Sequence, residues 1–280
     1  MNNYEKEIDG MTFSFSRCHS FEGCKYEWYL NYILVDEDKH PIYENEQNFY
    51  AAFGKLCHEI LEKIFKKEMT IEQGTQYYIE HFDEETGGFD ISPSTINKYY
   101  EAGLDYFTSL SLDWLENFEI LGVEMKCVFH AKKVPLIAYI DLLLKDKKTD
   151  NIIVIDHKSA QFPLGKKGKI LKRKEDDFEA YKRQLYLYSC WVHDQYGVYP
   201  TILAWNYFKD KKWLQIPFDK KEYDEAIDWV EKIVDEMKKE EEAARSSSFI
   251  RYFFLLLLRL FCKYCPKSFG VGIIISIGSG

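Results

Sequence analysis

The stretch Ile152-Ile153-Val154-Ile155-Asp156-His157-Lys158 decides the interpretation of this chain. Its apolar run predicts a buried strand that ends in a carboxylate, with a lysine two residues later. A second apolar run, Leu136-Ile137-Ala138-Tyr139-Ile140, is followed in the same way by Asp141. Strand-end carboxylates can hold hard divalent cations, and a lysine can steady an attacking water or the charge on a phosphate. The two runs therefore predict metal-assisted hydrolysis of a phosphodiester.

The polar loop between the two runs predicts a β-hairpin. If the loop is centred between Lys148 and Thr149, antiparallel pairing places Asp141 directly opposite Asp156, with both side chains on one face. Lys158 lies two residues beyond Asp156 on the same strand and shares that face. We therefore expect one surface patch to carry both carboxylates and the lysine.

Composition favours a folded protein of one large domain, or of one domain with appendages. The 280 residues are 46% hydrophobic and include 20 Phe, 21 Tyr and 6 Trp, which suffices for a substantial core. The net charge of −9 exerts no global attraction on a polyanion, so a nucleic-acid enzyme of this charge would need a local basic track.

Sequence signals for secretion or membrane insertion are weak. The first residues lack a charged-then-apolar leader, and the apolar stretch at 249–261 contains two arginines and is too short to span a bilayer. Seven irregularly spaced cysteines do not resemble a disulfide framework. We expect a cytoplasmic protein (host cytoplasm if the source is viral) without a membrane partner.

Helical and strand patterns alternate along the chain. An aromatic-rich helix is expected within residues 12–34, and others at 50–68, 94–117, 177–195 and 220–243. Strands are expected at 120–124, at 127–130, in the two runs of the hairpin, and as a pair within 202–216. The composition changes abruptly after Ser246-Ser247-Ser248, where the tail does not resemble a folded continuation.

Further motifs flank the two strands in a fixed order. A serine-rich start at Ser14-Phe15-Ser16 and Cys24 comes first, then a helical Gly-x-x-x-His at Gly54 and His58. After the strands comes a helical Gln-x-x-x-Tyr at Gln184 and Tyr188. Over about residues 12–190 this order resembles the PD-(D/E)xK nuclease superfamily, specifically its RecB-type exonuclease branch, which includes the CRISPR-associated adaptation exonucleases.

The resemblance implies a metal site. His58, Asp141 and Asp156 would bind one or two Mg²⁺ or Mn²⁺ ions, with the backbone carbonyl of His157 as a further ligand. An imidazole ligand suits Mn²⁺ somewhat better than Mg²⁺. Glu124, on the strand before the hairpin, is a further candidate ligand.

The resemblance also assigns the catalytic neighbours of the metal. Lys158 would orient or deprotonate the attacking water and stabilise the charged transition state. Gln184 and Tyr188 lie one helical turn apart and would project together towards the site and the DNA backbone. Asp141 and Asp156 would complete this catalytic group.

Each of these residues also has an ordinary interpretation. His58 could lie on a helix face without a ligand, and Asp141 could be a turn residue. Glu124 could be a surface charge of a strand, and Gln184 and Tyr188 could be ordinary helix residues. The position of Asp141 after an apolar run argues for a ligand, because a buried free carboxylate is costly.

The fold implied by the resemblance is α/β, with a restriction-endonuclease-like core. A central mixed sheet would hold the site, helices would flank it, and the N-terminal region would be helical. We expect this nuclease domain to occupy residues 1–245 and an atypical tail to occupy residues 246–280.

The activity implied is metal-dependent DNA exonuclease cleavage in recombination, repair or viral DNA processing. The substrate would be DNA with free ends, and single-stranded ends would be preferred. Two alternatives remain open: a structure-specific or restriction-type endonuclease that uses the same residues, and an inactive module of this fold that binds DNA or protein.

A run of basic residues lies between the Asp156 strand and the Gln184 helix. This track would bind DNA phosphates without regard to sequence, and nearby Phe162 and Phe178 could stack on bases. Its alternative is a solvated loop. The track comprises Lys166, Lys167, Lys169, Lys172, Arg173 and Lys174, with Lys182 and Arg183 inside the helix.

The cysteines partly fit an iron–sulfur motif that many relatives carry. Cys24 matches the early ligand, and Cys262 and Cys265 match the first two late ligands. The third late cysteine is missing, because position 271 is Val. Cys18 could replace it, so a [4Fe-4S] cluster is either held by these four residues or absent.

Overall fold

The computed structural model describes residues 8–34, 40 and 48–245. Three short 3₁₀ turns, at Asp113–Asn117, Lys172–Lys174 and Phe208–Asp210, connect larger elements. The helices are α1 (Phe15–Gly23), α2 (Lys25–Tyr32), α3 (Phe49–Phe65), α4 (Ile71–Thr86), α5 (Pro93–Thr108), α6 (Glu175–Tyr196) and α7 (Lys220–Arg245). The strands are β1 (Phe118–Ala131), β2 (Val134–Asp146), β3 (Ile152–Lys158), β4 (Ile202–Tyr207) and β5 (Lys212–Pro217).

The five strands form one mixed sheet in the order β1-β2-β3-β4-β5. Only β3 and β4 pair in parallel; α6 connects them, as a parallel connection requires a crossover. The other neighbours are antiparallel and joined by short turns. The α/β fold expected from the sequence is confirmed, as is its mixed central sheet.

Helices cover both faces of the sheet. Helices α3, α4 and α5 pack against one face, where Leu142, Ile155 and Ala204 belong to the same buried core. Because side chains alternate along a strand, the residues between them point to the other face. There α6 packs, with Phe178 against Trp205 at 5.1 Å between ring centroids. The site residues at 141, 156 and 158 belong to this second face.

Three helical expectations need correction. Residues 12–34 form two helices rather than one, because Gly23 ends α1 and Cys24 caps the start of α2 in an extended conformation. The helix expected at 94–117 ends at residue 108, where the hydroxyls of Thr108 and Ser109 bond to carbonyls of the preceding turn. Helix α4 was not expected, although Thr70 and Gln73 form a capping box at its start.

The strand expectations at 120–124 and 127–130 merge into one strand, β1. A register shift between Ile120 and Gly122 and a positive φ at Glu124 break the regular alternation that would have revealed it. The helices expected at 50–68, 177–195 and 220–243 are confirmed as α3, α6 and α7, and the strand pair within 202–216 as β4 and β5.

The chain divides into two compact units. One contains residues 11–15 and 45–232, and thus the sheet and helices α3 to α6. The other includes described residues 8–10, 16–34, 40 and 233–245, where Phe21 packs edge-on against Trp28 and Arg17 lies over Tyr32. The expected boundary between residues 245 and 246 stays a prediction, because the tail lies outside the described residues.

Within the described ranges, no helix combines the length and the apolar character that a membrane span needs.

Candidate active site

The β2–β3 hairpin has the register expected from its loop. Pairing runs inward from the loop and ends at Leu142 and Ile155. One further step along the same register sets Asp141 opposite Asp156. The backbone N–H of His157 donates to Asp141 Oδ2 at 2.6 Å, which fixes that carboxylate against the end of β3. Two carboxylates are therefore held side by side at the point where the strands diverge.

Glu124 adds a third carboxylate from the neighbouring strand. Its neighbours Val123 and Met125 pair with the residues on either side of Asp141, so Glu124 lies opposite Asp141. Its φ of 46° is a left-handed conformation that an L residue other than Gly rarely adopts within a strand. Glu124, Asp141 and Asp156 thus form a row across β1, β2 and β3.

His58 brings a nitrogen ligand to this row from α3. Its Nδ1 lies 3.6 Å from Asp141 Oδ2 and 3.7 Å from Glu124 Oε1, and the ligand atoms of the three residues all lie within 4.8 Å of one another. Its Nε2 lies 2.9 Å from the carbonyl oxygen of His157. That oxygen can only accept, so Nε2 carries the proton and the Nδ1 lone pair faces the carboxylates.

This donor set suits Mg²⁺ or Mn²⁺. Three of its members combine one imidazole nitrogen with two carboxylates, which are ligands that Mn²⁺ accepts and Mg²⁺ tolerates. Asp156 Oδ2 is buried and forms an ion pair with Lys158. It accepts no well-aligned hydrogen bond from a described residue. Buried carboxylates with so few donors around them are costly unless a cation compensates their charge.

The ligands expected from the sequence are distributed as follows. His58, Asp141 and the further candidate Glu124 come together, and Asp156 lies next in the row. The carbonyl of His157 faces His58 Nε2, so its contribution to a metal shell stays a prediction. The side chain of His157 points away from the row, stacked on Phe65 at 5.6 Å between centroids.

Lys158 is held over the site by several partners. Its Nζ lies 2.7 Å from Asp156 Oδ2, donates to Gln184 Oε1 at 3.0 Å, and sits 4.3 Å from the centroid of the Tyr181 ring. An ammonium group has three donors. One of them donates to Gln184, and the group also forms the ion pair with Asp156, so a donor remains for a substrate atom.

Gln184 and Tyr188 take the places expected on α6. The Gln184 amide donates from Nε2 to the Tyr188 hydroxyl at 2.6 Å while its oxygen accepts from Lys158. This chain of hydrogen bonds fixes the orientation of the amide and holds the lysine towards the carboxylates. Tyr188 is 7% exposed, so it supports Gln184 from within the protein.

Burial and crowding of like charges shift the pKa values of the site. Burial raises the pKa of Asp141, and the neighbouring Asp156 raises it further. Burial of His58 opposes its protonation, but the contact with Glu124 and the charges of Asp141 and Asp156 outweigh burial and raise the pKa of the imidazole. The site therefore concentrates negative charge that attracts a cation.

Lys158 keeps its positive charge in this environment. Burial disfavours the cation, yet the ion pair with Asp156 and the nearby Asp141 outweigh that cost and raise the pKa of Lys158. His157, in contrast, is fully buried beside Asn206, and burial lowers the pKa of its imidazole. One strand end thus holds a charged lysine beside a neutral histidine.

The basic track lies in a compact loop and at the start of α6. Gly165 and Lys169 form a turn that exposes Lys166, Lys167 and Lys169 at its tip. Arg173 donates to Gln161, and Lys174 pairs with Asp177. Lys172 is exposed in the 3₁₀ turn. DNA contact by these residues stays a prediction.

Charges on α6 partly neutralise the track. Lys182 pairs with Glu179 and Glu222, and Arg183 lies over the ring of Trp229 at 4.4 Å. The first turn of α6 carries Glu175, Asp176 and Asp177, where the helix dipole favours acidic residues. The exposed lysines of the loop tip are therefore the better candidates for phosphate contact.

The stacking role of Phe178 is wrong, because this residue is 7% exposed and packs on Trp205. Phe162 is partly exposed, with Lys212 at 5.1 Å from its ring centroid. Tyr181, in contrast, was missed by the sequence analysis. It lies on the same side of α6 as Gln184 and Tyr188, so helical spacing from those two could have indicated it.

The iron–sulfur cluster stays a prediction. Cys262 and Cys265 lie outside the described residues. Cys24 caps α2, since its Sγ accepts from the N–H of Glu27 at 3.4 Å. Cys18 is buried, and burial raises the pKa of its thiol to about 12, which disfavours the thiolate that binds iron.

Comparison with known families agrees with the geometry. Residues 12–268 match the family model described as the PD-(D/E)XK nuclease superfamily. The matched span includes every residue of the site described above. No curated protein matches the chain by sequence. The RecB-type branch inferred from the motifs stays a prediction.

Proposed function

Because the chain belongs to the PD-(D/E)XK nuclease superfamily, which implies a phosphodiesterase, we propose that it is a metal-dependent DNA exonuclease. The observation that supports this most directly is the row of Glu124, Asp141 and Asp156 between His58 and Lys158. It combines a cation-binding group with an ammonium donor on one surface. An inactive binding module would not need to keep all five groups.

His58, Glu124 and Asp141 would hold the divalent ion, with Asp156 beside them. A bound ion would supply Lewis acidity towards the phosphate. The Nε2–H of His58 donates to the His157 carbonyl and so keeps Nδ1 directed at the ion site. This hydrogen bond would hold the imidazole ring in place before the metal binds.

Lys158 acts on the substrate as a charged donor. Because the charges of Asp156 and Asp141 outweigh burial and raise its pKa in the metal-free chain, Lys158 would meet the substrate as an ammonium group. Its remaining N–H would hold a phosphate oxygen or orient the attacking water. Water adds to phosphorus, the bond from phosphorus to the leaving oxygen of the strand breaks, and the proton lost by water ends on that oxygen. The electrostatic support by Lys158 grows as charge develops on the phosphate.

Attack from a DNA end, with preference for single strands, is supported by the resemblance of the ordered motifs to the RecB-type branch. A role in recombination, repair or viral DNA processing has the same support. Mn²⁺ or Mg²⁺ is the cofactor that the donor set favours. The exposed lysines at 166, 167 and 169 would supply phosphate contacts that weaken with salt.

The test is cleavage of end-labelled linear DNA and of covalently closed circular DNA, single- and double-stranded, with Mg²⁺ or Mn²⁺. We expect the linear strands to be degraded and the circles to be spared. Asp141→Asn should abolish cleavage, whereas Asp150→Asn, which changes an exposed carboxylate of the same hairpin, should not.

Two results would overturn the proposal. Cleavage of the circles at a rate similar to the linear strands would identify an endonuclease. Binding of DNA without cleavage, under all metal conditions, would identify an inactive module.

A further inference from the structure

The outer half of the β1–β2 hairpin has an exposed face beside the carboxylate row. Buried and solvent-facing side chains alternate strictly here, so one face belongs to the core and the other to solvent. The solvent-facing set consists of Lys126, Val128 and His130 from β1 and Pro135, Ile137 and Tyr139 from β2.

Two residues of this face are unusually exposed for apolar side chains. Val128 is 61% exposed and Tyr139 is 51% exposed, the highest values among the large apolar side chains of the described residues. They are diagonal neighbours across the ladder, because Val128 pairs with Ile137 and Lys126 pairs with Tyr139. Single exposed apolar residues are ordinary, but an adjacent pair suggests contact with a ligand.

Tyr139 also makes no specific side-chain contact with another described residue. Within the part of the chain that the structure describes, its ring stacks on no other ring and its hydroxyl has no hydrogen-bond partner. Lys126, directly opposite, forms no ion pair with a described residue. An aromatic ring and an ammonium group therefore stand side by side, both open to solvent.

This pair lies close to the reaction site. On β2, Asp141 is two residues beyond Tyr139, and on β1 Glu124 is two residues before Lys126. Two residues along a strand correspond to about 7 Å. A strand of DNA with its phosphate at the carboxylate row would thus place an adjacent nucleotide over Tyr139.

The chemistry of the face fits an unpaired nucleotide. No carboxylate lies on it outward from Glu124 and Asp141, although the whole chain carries a net charge of −9. An aromatic ring stacks on a base of any sequence, and a neighbouring lysine can contact the phosphate. Inside a duplex the base faces are covered by their neighbours, so a base within the strand can use the ring only when it is unpaired.

We propose that the face formed by Lys126, Val128 and Tyr139 is a binding site for unpaired DNA, with a base stacked on Tyr139 and a phosphate at Lys126. The proposal rests on the nuclease function proposed above and specifies how the site receives its strand. It makes Tyr139 a substrate-positioning residue that favours single-stranded ends.

The test is binding of a labelled single strand in EDTA, where cleavage is prevented, followed by fluorescence anisotropy. Tyr139→Ala should weaken binding at least about fivefold, as expected for loss of one stacked base. Tyr139→Phe keeps the ring and should restore the affinity. Tyr196→Ala, at a tyrosine of α6 that is 40% exposed, is the matched control and should bind as the parent does.

A second readout follows the stacked base itself. A fluorescent adenine analogue next to the labelled end should be quenched by the parent and by Tyr139→Phe, and less by Tyr139→Ala. Equal quenching and equal affinity in all variants would overturn the proposal. So would a change of oligomeric state in Tyr139→Ala without a change in DNA affinity, because the face would then be a protein contact.

The nuclease function is tested separately by measuring cleavage with the same protein preparations. Cleavage by the parent and its loss in Asp141→Asn would uphold that function even if Tyr139→Ala bound DNA normally. Absence of cleavage by the parent would remove the function, whatever the binding data show.

Discussion

Removing the charge of Lys158 should affect activity and stability in separable ways. In Lys158→Met the buried Asp156 loses its cation at 2.7 Å, and its side chain is only 4% exposed. Breaking one partner of a buried ion pair costs about 3–5 kcal/mol, because the other charge is left uncompensated. Protonation of Asp156 can relieve part of this penalty, so we expect the metal-free variant to lose about 3 kcal/mol of unfolding free energy. Cleavage should fall about 100- to 1,000-fold, as for loss of one donor to the developing charge.

A second substitution separates the two effects. In Lys158→Met/Asp156→Asn the side chain that lost its partner is itself neutral, so most of the stability should return while cleavage stays absent. Lys63→Met is the matched control, since Lys63 pairs with Glu59 on the exposed side of α3. Surface pairs of this kind contribute about 0.3–0.5 kcal/mol, so the control should stay close to the parent.

The measurements are urea unfolding at neutral pH in EDTA and Mn²⁺-dependent cleavage of a labelled strand. The reasoning is refuted if Lys158→Met unfolds at the urea concentration of the parent, since the pair would then not be a buried one. It is also refuted if the double variant regains no stability. Cleavage by Lys158→Met at the parental rate would remove the catalytic role of the lysine.

Three further changes test other parts of the site. Glu124→Asn should abolish Mn²⁺ binding in calorimetry. Its unfolding free energy should stay equal or rise by up to about 1 kcal/mol, because Asn tolerates the positive φ at this position. The control Glu119→Asn, which changes an exposed residue of the same strand, should still bind the metal. Gln184→Ala should lower kcat up to about 100-fold, because Lys158 would be misplaced, while KM should change little. The control Gln195→Ala should have the kcat of the parent. Burial lowers the pKa of the His157 imidazole well below 6.5 in the folded chain. As the pH falls through about 6.5, the unfolded chain binds a proton at this imidazole and the folded chain does not, so the unfolding free energy declines. In EDTA, His157→Gln should therefore lose less unfolding free energy than the parent between about pH 7 and about pH 5, and an equal loss would contradict this assignment.

The sequence contained the hairpin at the centre of the site. A polar loop between two apolar runs determines where the chain turns, and the position of the turn determines which residues face each other. That reasoning predicted the register that places Asp141 opposite Asp156, and the structure has it. Alternation along a strand then placed Lys158 beside Asp156, where the ion pair is found.

The contributions of β1 and α6 were harder to predict, because they depend on tertiary packing. Spacing alone cannot show that α6 crosses the sheet with Tyr181 under the lysine. The burial of Phe178 follows from the same crossing, which sets it against Trp205. Glu124 was only a secondary candidate, since a sequence does not report the backbone angle that turns a strand residue towards its neighbours.

The departures from local rules concentrate at the carboxylate row, and this distribution itself argues for function. A glutamate at φ 46° within a strand costs about 1–3 kcal/mol of backbone strain. Beside it lie two buried carboxylates, and burial together with the charge of Asp156 raises the pKa of Asp141. Each departure opposes folding of the metal-free chain, and all of them would be offset by one divalent cation. A sequence selected for stability alone would relax the strand and replace a carboxylate, so the occurrence of these departures together is what the proposed cation site would require and the sheet would not.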